Sequence, residues 1–222
     1  MKTLKTKRPK DAATLILYRK ENHKLYVLMG CRDNRHAFMP NRYVFPGGAV
    51  DRSDRFVRPS DELKPNVWDN LSKSCSRARA RSLAAAAIRE TWEETGLRVA
   101  CRSSSNNENI APSWKDFHKT GYAPSFSQLD FVCRAITPPG RPRRFNARFF
   151  IAPSKASFGE LRGNGELSDL KWISTRDALN LPIPDITSYV LQELSGWINA
   201  NQPRLHTPLL KRVGKRFEVM TE

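Results

Sequence analysis

The stretch that decides the fold lies at residues 89–97 and reads RETWEETGL. Its glutamates Glu90, Glu93 and Glu94 are three and four residues apart, so in an α-helix they fall within an arc of about 100°. The opposite side of that helix is filled by Ala84, Ile88, Thr91, Trp92 and Thr95. We therefore predict a helix that packs along one face and carries three carboxylates along the other.

The acidic face calls for a positive partner, because like charges three and four residues apart repel each other and destabilise a helix. Carboxylate oxygens are hard ligands that suit Mg²⁺ or Mn²⁺, and bound Mg²⁺ often bridges carboxylates to the phosphates of a substrate. The pattern therefore favours a divalent metal ion with a catalytic role. Taken alone, however, three glutamates are more typical of a solvated helix face with Arg89 in ordinary ion pairs.

A glycine pair upstream strengthens the metal interpretation. Residues 45–51 read FPGGAVD, and a backbone without Cβ atoms at Gly47 and Gly48 can come close to a metal or a phosphate. Together, this turn and the helix resemble the Nudix hydrolase box, G-x5-E-x7-R-E-U-x-E-E-x-G-U, in which a loop, a helix and a loop lie around a divalent metal. The matching residues are Gly48, Arg89, Glu90, Glu93, Glu94, Gly96 and Leu97.

The spacing within the box departs from the family pattern. The first acidic residue of the box would follow Gly48 by six positions, where this chain has Asp54. Between Asp54 and Arg89 lie 34 residues instead of seven, which makes an insertion of 27 residues. Counted back from the helix, the same slot falls on Arg81, which could not serve as a metal ligand. Both alignments stay open at the level of sequence.

The interrupted box is similar to that of one Nudix subfamily, which includes the peroxisomal coenzyme A diphosphatase. The similarity extends to further segments: Arg32, Phe38–Pro40, Tyr43–Gly48, Asp51, Ile136–Pro139, Pro142–Phe145 and Arg148–Phe150. The resemblance implies an α/β fold, a Nudix-type α/β/α sandwich with a mixed β-sheet and a catalytic loop–helix–loop. It also implies hydrolysis of a nucleoside diphosphate linked to another group, with a coenzyme A-like substrate favoured. ADP-ribose, nucleotide sugars and capped RNA are alternatives, as is a non-catalytic module that binds nucleotide or RNA.

The resemblance also implies roles at the matching positions. Glu93, Glu94 and the carbonyl of Gly47 would bind metal, expected to be Mg²⁺ or Mn²⁺. Glu90 would be a further ligand or the base that accepts a proton from the attacking water. Arg89 would orient Glu90 through a charge-assisted hydrogen bond.

Residues outside the helix supply candidates for a distal acid and for substrate binding. The loop 158–170 (FGELRGNGELSDL) contains Glu160, Glu166 and Asp169, and of these we predict Glu166 as a further catalytic acid. Guanidinium groups match phosphate oxygens in geometry. Substrate phosphates are therefore expected at the Gly48 backbone and at four arginines: Arg32, Arg42, Arg143 and Arg144.

The amino-acid composition limits the classes of molecule that the protein could bind. The 222 residues include 38 Lys and Arg against 22 Asp and Glu, and the resulting net charge of +16 at pH 7 favours an anionic partner. A small nucleotide diphosphate fits the box best, nucleic acid is open but not favoured, and no apolar run is long enough to span a membrane. A homodimer is left open.

The cysteines and the two ends of the chain allow a prediction of the cellular compartment. The four cysteines contain no C-x-x-C pair, and the basic N-terminus is not followed by an apolar segment of signal-peptide length. The chain ends Met-Thr-Glu instead of in a peroxisomal tripeptide. We therefore expect a cytoplasmic protein with reduced thiols.

The order of the predicted elements describes one domain. β-Prone runs precede the box helix, expected at 73–95, and further β-prone runs lead to an amphipathic helix at 185–200. Such an order predicts a mixed sheet with helices packed on it. The predicted divisions are a basic tail at 1–10, a single domain at 11–202 with its insertion at about 55–81, and a C-terminal extension at 203–222.

Overall fold

Helices and strands alternate along the residues that the computed structural model describes, 7–33, 39–103, 110–119, 121–200, 206–213 and 216–222. Within these ranges the helices are α1 (Pro65–Ser72), α2 (Arg77–Thr95), α3 (Pro112–His118), α4 (Thr175–Ala178) and α5 (Asp185–Asn199). The strands in the same ranges are β1 (Lys10–Glu21), β2 (Lys24–Arg32), β3 (Tyr43–Val44), β4 (Gly47–Ala49), β5 (Arg98–Arg102), β6 (Tyr122–Pro124), β7 (Asp130–Ile136), β8 (Phe145–Pro153), β9 (Ser157–Phe158), β10 (Leu167–Ser174), β11 (Pro208–Val213) and β12 (Arg216–Thr221). In this part of the chain, no helix is both long and apolar enough to cross a membrane.

The central sheet is mixed and runs in the order β10-β2-β1-β8-β7-β11-β12. Strand β1 lies between β2, to which it is antiparallel, and β8, to which it is parallel. The short strand β4 pairs with the first part of β1, so that Gly47 lies opposite Thr14 and Gly48 opposite Ala13. This pairing builds the glycine pair into the sheet. Strands β5, β6 and β9 form a separate small sheet.

Helices cover both faces of the central sheet, and each face has its own hydrophobic core. On the first face, α1, α2 and α3 pack around Leu15, Phe150 and the alanine run 84–87. On the second face, α4 and α5 pack over Ile16 and Leu210. Neighbouring residues of a strand point to opposite faces, which is why Leu15 and Ile16 enter different cores. The predicted mixed sheet between helical layers is confirmed.

Helix α2 carries the box residues, and local chemistry sets both of its ends. The Ser76 side chain accepts a hydrogen bond from Arg79 N at 3.3 Å and caps the N-terminus. Gly96 ends the helix with a φ of 76°, and a Cβ atom there would lie 2.3 Å from the Glu160 carbonyl oxygen. The helix was expected to begin at residue 73, but Ser76 takes an extended conformation as the cap and the helix starts at Arg77.

The inserted segment 55–81 is an integral part of the first core. Its side chains Leu63, Val67 and Leu71 are at most 3% exposed. Sequence analysis did not predict α1, because this segment is polar and contains proline. Pro65 nevertheless suits the first turn of a helix, where its missing N–H would have no partner in any case.

The last strands extend the central sheet. Strand β11 lies parallel to β7, with Leu210 opposite Ala135, and β12 forms a hairpin with β11. The extension expected at 203–222 therefore contains two strands of the sheet, and the tail expected at 1–10 ends on the first residue of β1, Lys10. Pairing with β11 satisfies N–H and C=O groups that β7 would otherwise present at an open edge.

Candidate active site

Arg89 lies at the centre of the candidate site, and its five N–H donors are all used. Nε and Nη2 donate to the two carboxylate oxygens of Asp54 at 2.8 and 3.1 Å. Nη2 also donates to the Ala49 carbonyl at 3.1 Å, and Nη1 donates to Glu90 Oε1 and Glu93 Oε2, both at 2.9 Å. The planar guanidinium thereby fixes two of the three box glutamates against the turn that follows the glycine pair.

Asp54 is the residue that anchors this network. Its side chain is 0% exposed, and it also accepts hydrogen bonds from Trp114 Nε1 at 3.2 Å and from Asp51 N at 2.8 Å. A buried carboxylate is tolerated when it is paired and hydrogen-bonded in this way. Of the two alignments left open by the sequence, the structure therefore favours Asp54, whereas Arg81 pairs with Glu62.

Sequence reasoning did not assign Trp114 a place in this network. The residue lies 60 positions from Asp54 along the chain, so no local spacing could have linked the two. Its indole packs edge-on against Phe117 in the first core, with ring centroids 5.2 Å apart. Trp114 thus joins the hydrophobic core to the acidic anchor of Arg89.

The glycine pair is in contact with the other carboxylates. The N–H of Gly47 donates to Glu94 Oε2 at 2.8 Å. A Cβ atom on Gly48 would lie 2.4–2.6 Å from the carboxylate atoms of Glu90, so only glycine leaves room for Glu90 at this distance. A close approach of a ligand to the glycine backbone was expected from the sequence. In the structure, the groups that come close to this backbone are carboxylates of α2.

Burial distinguishes the three box glutamates. Glu94 is 3% exposed, while the side chains of Glu90 and Glu93 are 14% and 33% exposed. The acidic face of α2 therefore packs against β4 and the Asp54 turn. A simple solvated helix face, the alternative that three glutamates alone would favour, does not describe it.

Burial raises the pKa of all three carboxyl groups. The pKa of Glu90 rises to about 7, mainly through burial, with the charge of Arg89 opposing and that of Glu93 adding to the rise. The pKa of Glu94 rises to about 8, again mainly through burial, although the hydrogen bond from Gly47 opposes it. Burial likewise raises the pKa of Glu93 against the charge of Arg89. The cluster therefore has less positive charge than its carboxylates require.

The donor chemistry of this cluster fits a divalent metal. Among the described residues, each box glutamate uses one carboxylate oxygen in hydrogen bonds: Glu90 Oε1, Glu93 Oε2 and Glu94 Oε2. The second oxygen of each remains for another ligand, and such hard donors suit Mg²⁺ or Mn²⁺. No three acidic, His or Cys side chains in the described ranges converge closely enough to hold an ion by themselves. Water and substrate oxygens would have to complete the coordination.

A cleft of about 530 Å³ opens on the other side of the glycine pair, on the sheet face covered by α5. Gly47 and Gly48 line one part of it. Its floor is apolar and includes Phe45, Ala147, Phe149, Ile186 and Leu210. Its charged lining residues are Arg32, Arg141, Arg143, Lys211, Arg212 and Asp185. This volume and mixture of surfaces suit a small ligand that is partly apolar and negatively charged.

The four arginines predicted to bind phosphate take different places. Arg32 and Arg143 line the cleft. Arg42 is exposed and lies outside the cleft lining. Arg144 donates to two backbone carbonyls, those of Thr137 at 3.1 Å and Lys7 at 2.6 Å, so it holds chain segments together. The structure brings only the first two toward the glycine pair.

Among the distal acids, Glu166 is the one whose charge acts on the box. It is exposed, and its charge is the smallest of the five causes that act on the raised pKa of each of the three box glutamates, with burial the largest. Asp169 instead bonds to Tyr43 and to Lys171. The charge of the predicted Glu166 thus acts weakly on the cluster, whereas Asp169 is engaged elsewhere.

The family follows from comparison with known sequences. The sequence pattern of the NUDIX domain matches residues 8–194. The chain belongs to the Nudix family. It is 28% identical to putative nudix hydrolase 7 of Caenorhabditis elegans, over 84% of this chain and 60% of that protein. It is 24% identical to the acyl-coenzyme A diphosphatase NUDT19 of Xenopus laevis, over 91% of this chain and 73% of that protein.

Solved structures support the same fold. A NUDIX hydrolase from Alicyclobacillus acidocaldarius superposes with a TM-score of 0.67 at 27% identity, covering 85% of this chain and 92% of that one. The NUDIX domain of Shewanella oneidensis NrtR, solved with ADP ribose, gives a TM-score of 0.51 at 15% identity over 87% and 90% of the two chains, a likeness in fold alone. Nudix hydrolases generally require divalent metal ions.

Proposed function

We propose that this protein is a Mg²⁺- or Mn²⁺-dependent hydrolase of nucleoside diphosphates linked to another group, with a coenzyme A-like substrate. The observation that carries the proposal is the position of the glycine pair. On one side it contacts Glu90 and Glu94, and on the other it lines the cleft. A diphosphate bound at Gly47 and Gly48 would meet the carboxylates while the rest of the substrate fills the cleft.

The chain's own residues divide the catalytic work. Glu93 and Glu94, with the carbonyl of Gly47, would hold the metal, which supplies positive charge to neutralise the diphosphate oxygens. Arg89 holds Glu90 by the hydrogen bond from Nη1, and that carboxylate would accept a proton from the water that attacks phosphorus. Positioning and charge stabilisation of this kind provide most of the catalysis in phosphoryl transfer.

Two considerations support a coenzyme A-like substrate. One relative of the chain is named as an acyl-coenzyme A diphosphatase. The cleft also offers both an apolar floor and basic residues, among them Arg32 and Arg143, which suits a substrate that joins a nucleotide to an apolar arm. Glu166 is the proposed distal acid, and Arg32 and the Gly48 backbone are the proposed contacts to the diphosphate.

A product screen tests the proposal. The purified chain is incubated with coenzyme A, ADP-ribose, a nucleotide sugar, a dinucleoside polyphosphate and capped RNA, each with Mg²⁺, Mn²⁺ or EDTA, and products are separated by chromatography. We expect coenzyme A to give adenosine 3′,5′-bisphosphate and phosphopantetheine with the highest kcat/KM. A higher kcat/KM for another compound would replace the substrate assignment, and no metal-dependent turnover of any compound would contradict the proposal.

The basic surface leaves one rival to exclude, a module that binds RNA without turnover. Contacts to several phosphates make RNA affinity fall steeply with salt. We expect weak binding of single-stranded RNA at physiological salt together with diphosphate turnover. Tight, strongly salt-dependent RNA binding without turnover would favour the module.

We further propose a cytoplasmic location, where the four cysteines, which form no disulfide, stay reduced.

A further inference from the structure

Strand β11 of the C-terminal hairpin forms part of the wall of the cleft. Leu210 of β11 packs in the second core and lines the cleft floor. Residues two apart in a strand share a face, so Arg212 lies on the same face as Leu210 and reaches the rim. Arg212 is accordingly one of the cleft residues. It lies more than 160 positions from the glycine pair in sequence.

Basic residues from another part of the chain lie on the same rim. Arg141 and Arg143, on the connection between β7 and β8, are exposed and line the same cleft. Within the described part of the chain, neither guanidinium has a hydrogen-bond or ion-pair partner. Charged groups that converge unpaired on one cleft favour a ligand of opposite charge, and guanidinium groups match phosphate oxygens.

Among the described residues that line the cleft, Asp185 is the one acidic side chain, and its ion pair with Arg212 is weak. Arg212 Nη1 lies 3.8 Å from Asp185 Oδ2, and the two side chains are 40% and 67% exposed. Exposed ion pairs at such distances contribute little stability. A phosphate would therefore compete readily for Arg212, and Asp185 would oppose its binding by charge repulsion.

We propose that Arg212, with Arg141 and Arg143, binds a second phosphate group of the substrate, separate from the diphosphate that is hydrolysed. This inference rests on the proposed function, since it places the reacting diphosphate at the glycine pair. The cleft volume of about 530 Å³ exceeds what a diphosphate alone would fill. The β11–β12 hairpin thereby sets a preference for nucleotides phosphorylated at two positions.

A binding experiment on the full chain tests this site without turnover. Adenosine 5′-monophosphate and adenosine 3′,5′-bisphosphate are titrated by calorimetry, and the ratio of their Kd values is compared. We expect the bisphosphate to bind about tenfold more tightly, the gain typical of one charge-assisted hydrogen bond to a phosphate. Arg212→Ala should remove most of that ratio, while its matched control Arg176→Ala, an exposed arginine on α4 outside the cleft lining, should keep it.

A second variant separates ligand binding from a structural role of the hairpin. Asp185→Asn removes the competing carboxylate, so we expect the bisphosphate to bind several-fold more tightly and the monophosphate to change little. If Arg212 only stabilised the fold through Asp185, both variants would weaken both ligands alike. An equal affinity for the two ligands in the wild type, or an unchanged ratio in Arg212→Ala, overturns the proposal. Failure of the proposed function would appear separately, as absent metal-dependent turnover in the product screen.

Discussion

The guanidinium of Arg89 is bound by the carboxylate of Asp54 through two hydrogen bonds, of 2.8 and 3.1 Å, across the whole inserted segment. Both side chains are almost fully buried, at 6% and 0% exposure. The pair therefore lies in a region where neither charge can be solvated if the other is removed. Because the same guanidinium holds Glu90 and Glu93, the pair links the stability of the fold to the geometry of the site.

Asp54→Asn should destabilise the protein and slow catalysis. It leaves Arg89 with less compensating charge, and breaking a buried ion pair costs roughly 3–5 kcal/mol. Because Asn keeps one acceptor oxygen, we expect a loss of about 3 kcal/mol in the free energy of unfolding, measured by urea denaturation. The control is Asp116→Asn, which breaks an exposed ion pair with Lys119 and should leave the urea midpoint unchanged. Equal midpoints for both variants would refute the anchoring role of Asp54.

Gly48→Ala should impair catalysis more than stability. The added Cβ atom would lie 2.4–2.6 Å from the Glu90 carboxylate, which stands at the end of a flexible side chain and can move. We expect kcat to fall at least tenfold with a small change in melting temperature. Gly196→Ala is the matched control, because nothing lies within 4 Å of its added Cβ atom in α5. That control should gain about 0.5–1 kcal/mol of stability at unchanged kcat.

Much of the architecture could be predicted from local pattern. The helix end at Gly96, the glycine pair and the mixed sheet follow from capping, backbone and alternation rules that act over a few residues. The pairing of Asp54 with Arg89 could not be predicted with the same certainty, because the 27 inserted residues leave two alignments with comparable spacing. Asp54 is distinguished from Arg81 only by the folded structure, in which the chain passes through α1 and brings Arg89 back beside Asp54.

Two side-chain positions near the cleft also lie beyond what local sequence patterns predict. Arg144 has the same side chain as Arg143, yet it donates to backbone carbonyls while Arg143 lines the cleft. The pairing of β11 with β7 joins residues more than 70 positions apart, so no local signal places Arg212 beside the cleft. Contacts between residues so far apart in the sequence are determined by tertiary packing.

Glu94→Gln should stabilise the metal-free protein at alkaline pH. The pKa of Glu94 is about 8 in the folded chain against an ordinary 4.5, so the folded state retains a proton that the unfolded state loses. This contribution to stability is therefore lost as pH rises from about 4.5 to 8. Gln carries no charge and keeps an acceptor for the N–H of Gly47. At pH 8 in EDTA we expect a melting temperature at least about 2 °C above wild type.

The control for this pH effect is Glu193→Gln on α5, an exposed residue. Its melting temperature should follow the wild-type pH profile between pH 5 and 8, while that of Glu94→Gln should depend less on pH. Differential scanning fluorimetry in EDTA measures both. A melting temperature of Glu94→Gln below wild type at pH 8 would contradict the assignment of Glu94 as a buried, charge-strained carboxylate.

Glu166→Gln tests the distal acid. The Glu166 charge acts on all three box glutamates, so a catalytic role predicts a kcat lowered by at least about tenfold, with the fold unchanged because the side chain is exposed. Glu160→Gln on the same loop is the matched control and should keep the wild-type kcat. Equal kcat values for the two variants would remove Glu166 from the mechanism.

The central claim is that the Arg89-organised carboxylates hydrolyse a diphosphate with the help of a divalent metal. The most direct test is the kcat of diphosphate hydrolysis for wild type and Glu94→Gln, with Mg²⁺ and with EDTA, on the best substrate of the screen. We predict that EDTA abolishes wild-type turnover and that Glu94→Gln lowers kcat by at least about a hundredfold while its circular dichroism matches wild type. Wild-type turnover in EDTA, or a near-normal kcat in Glu94→Gln, would contradict the claim.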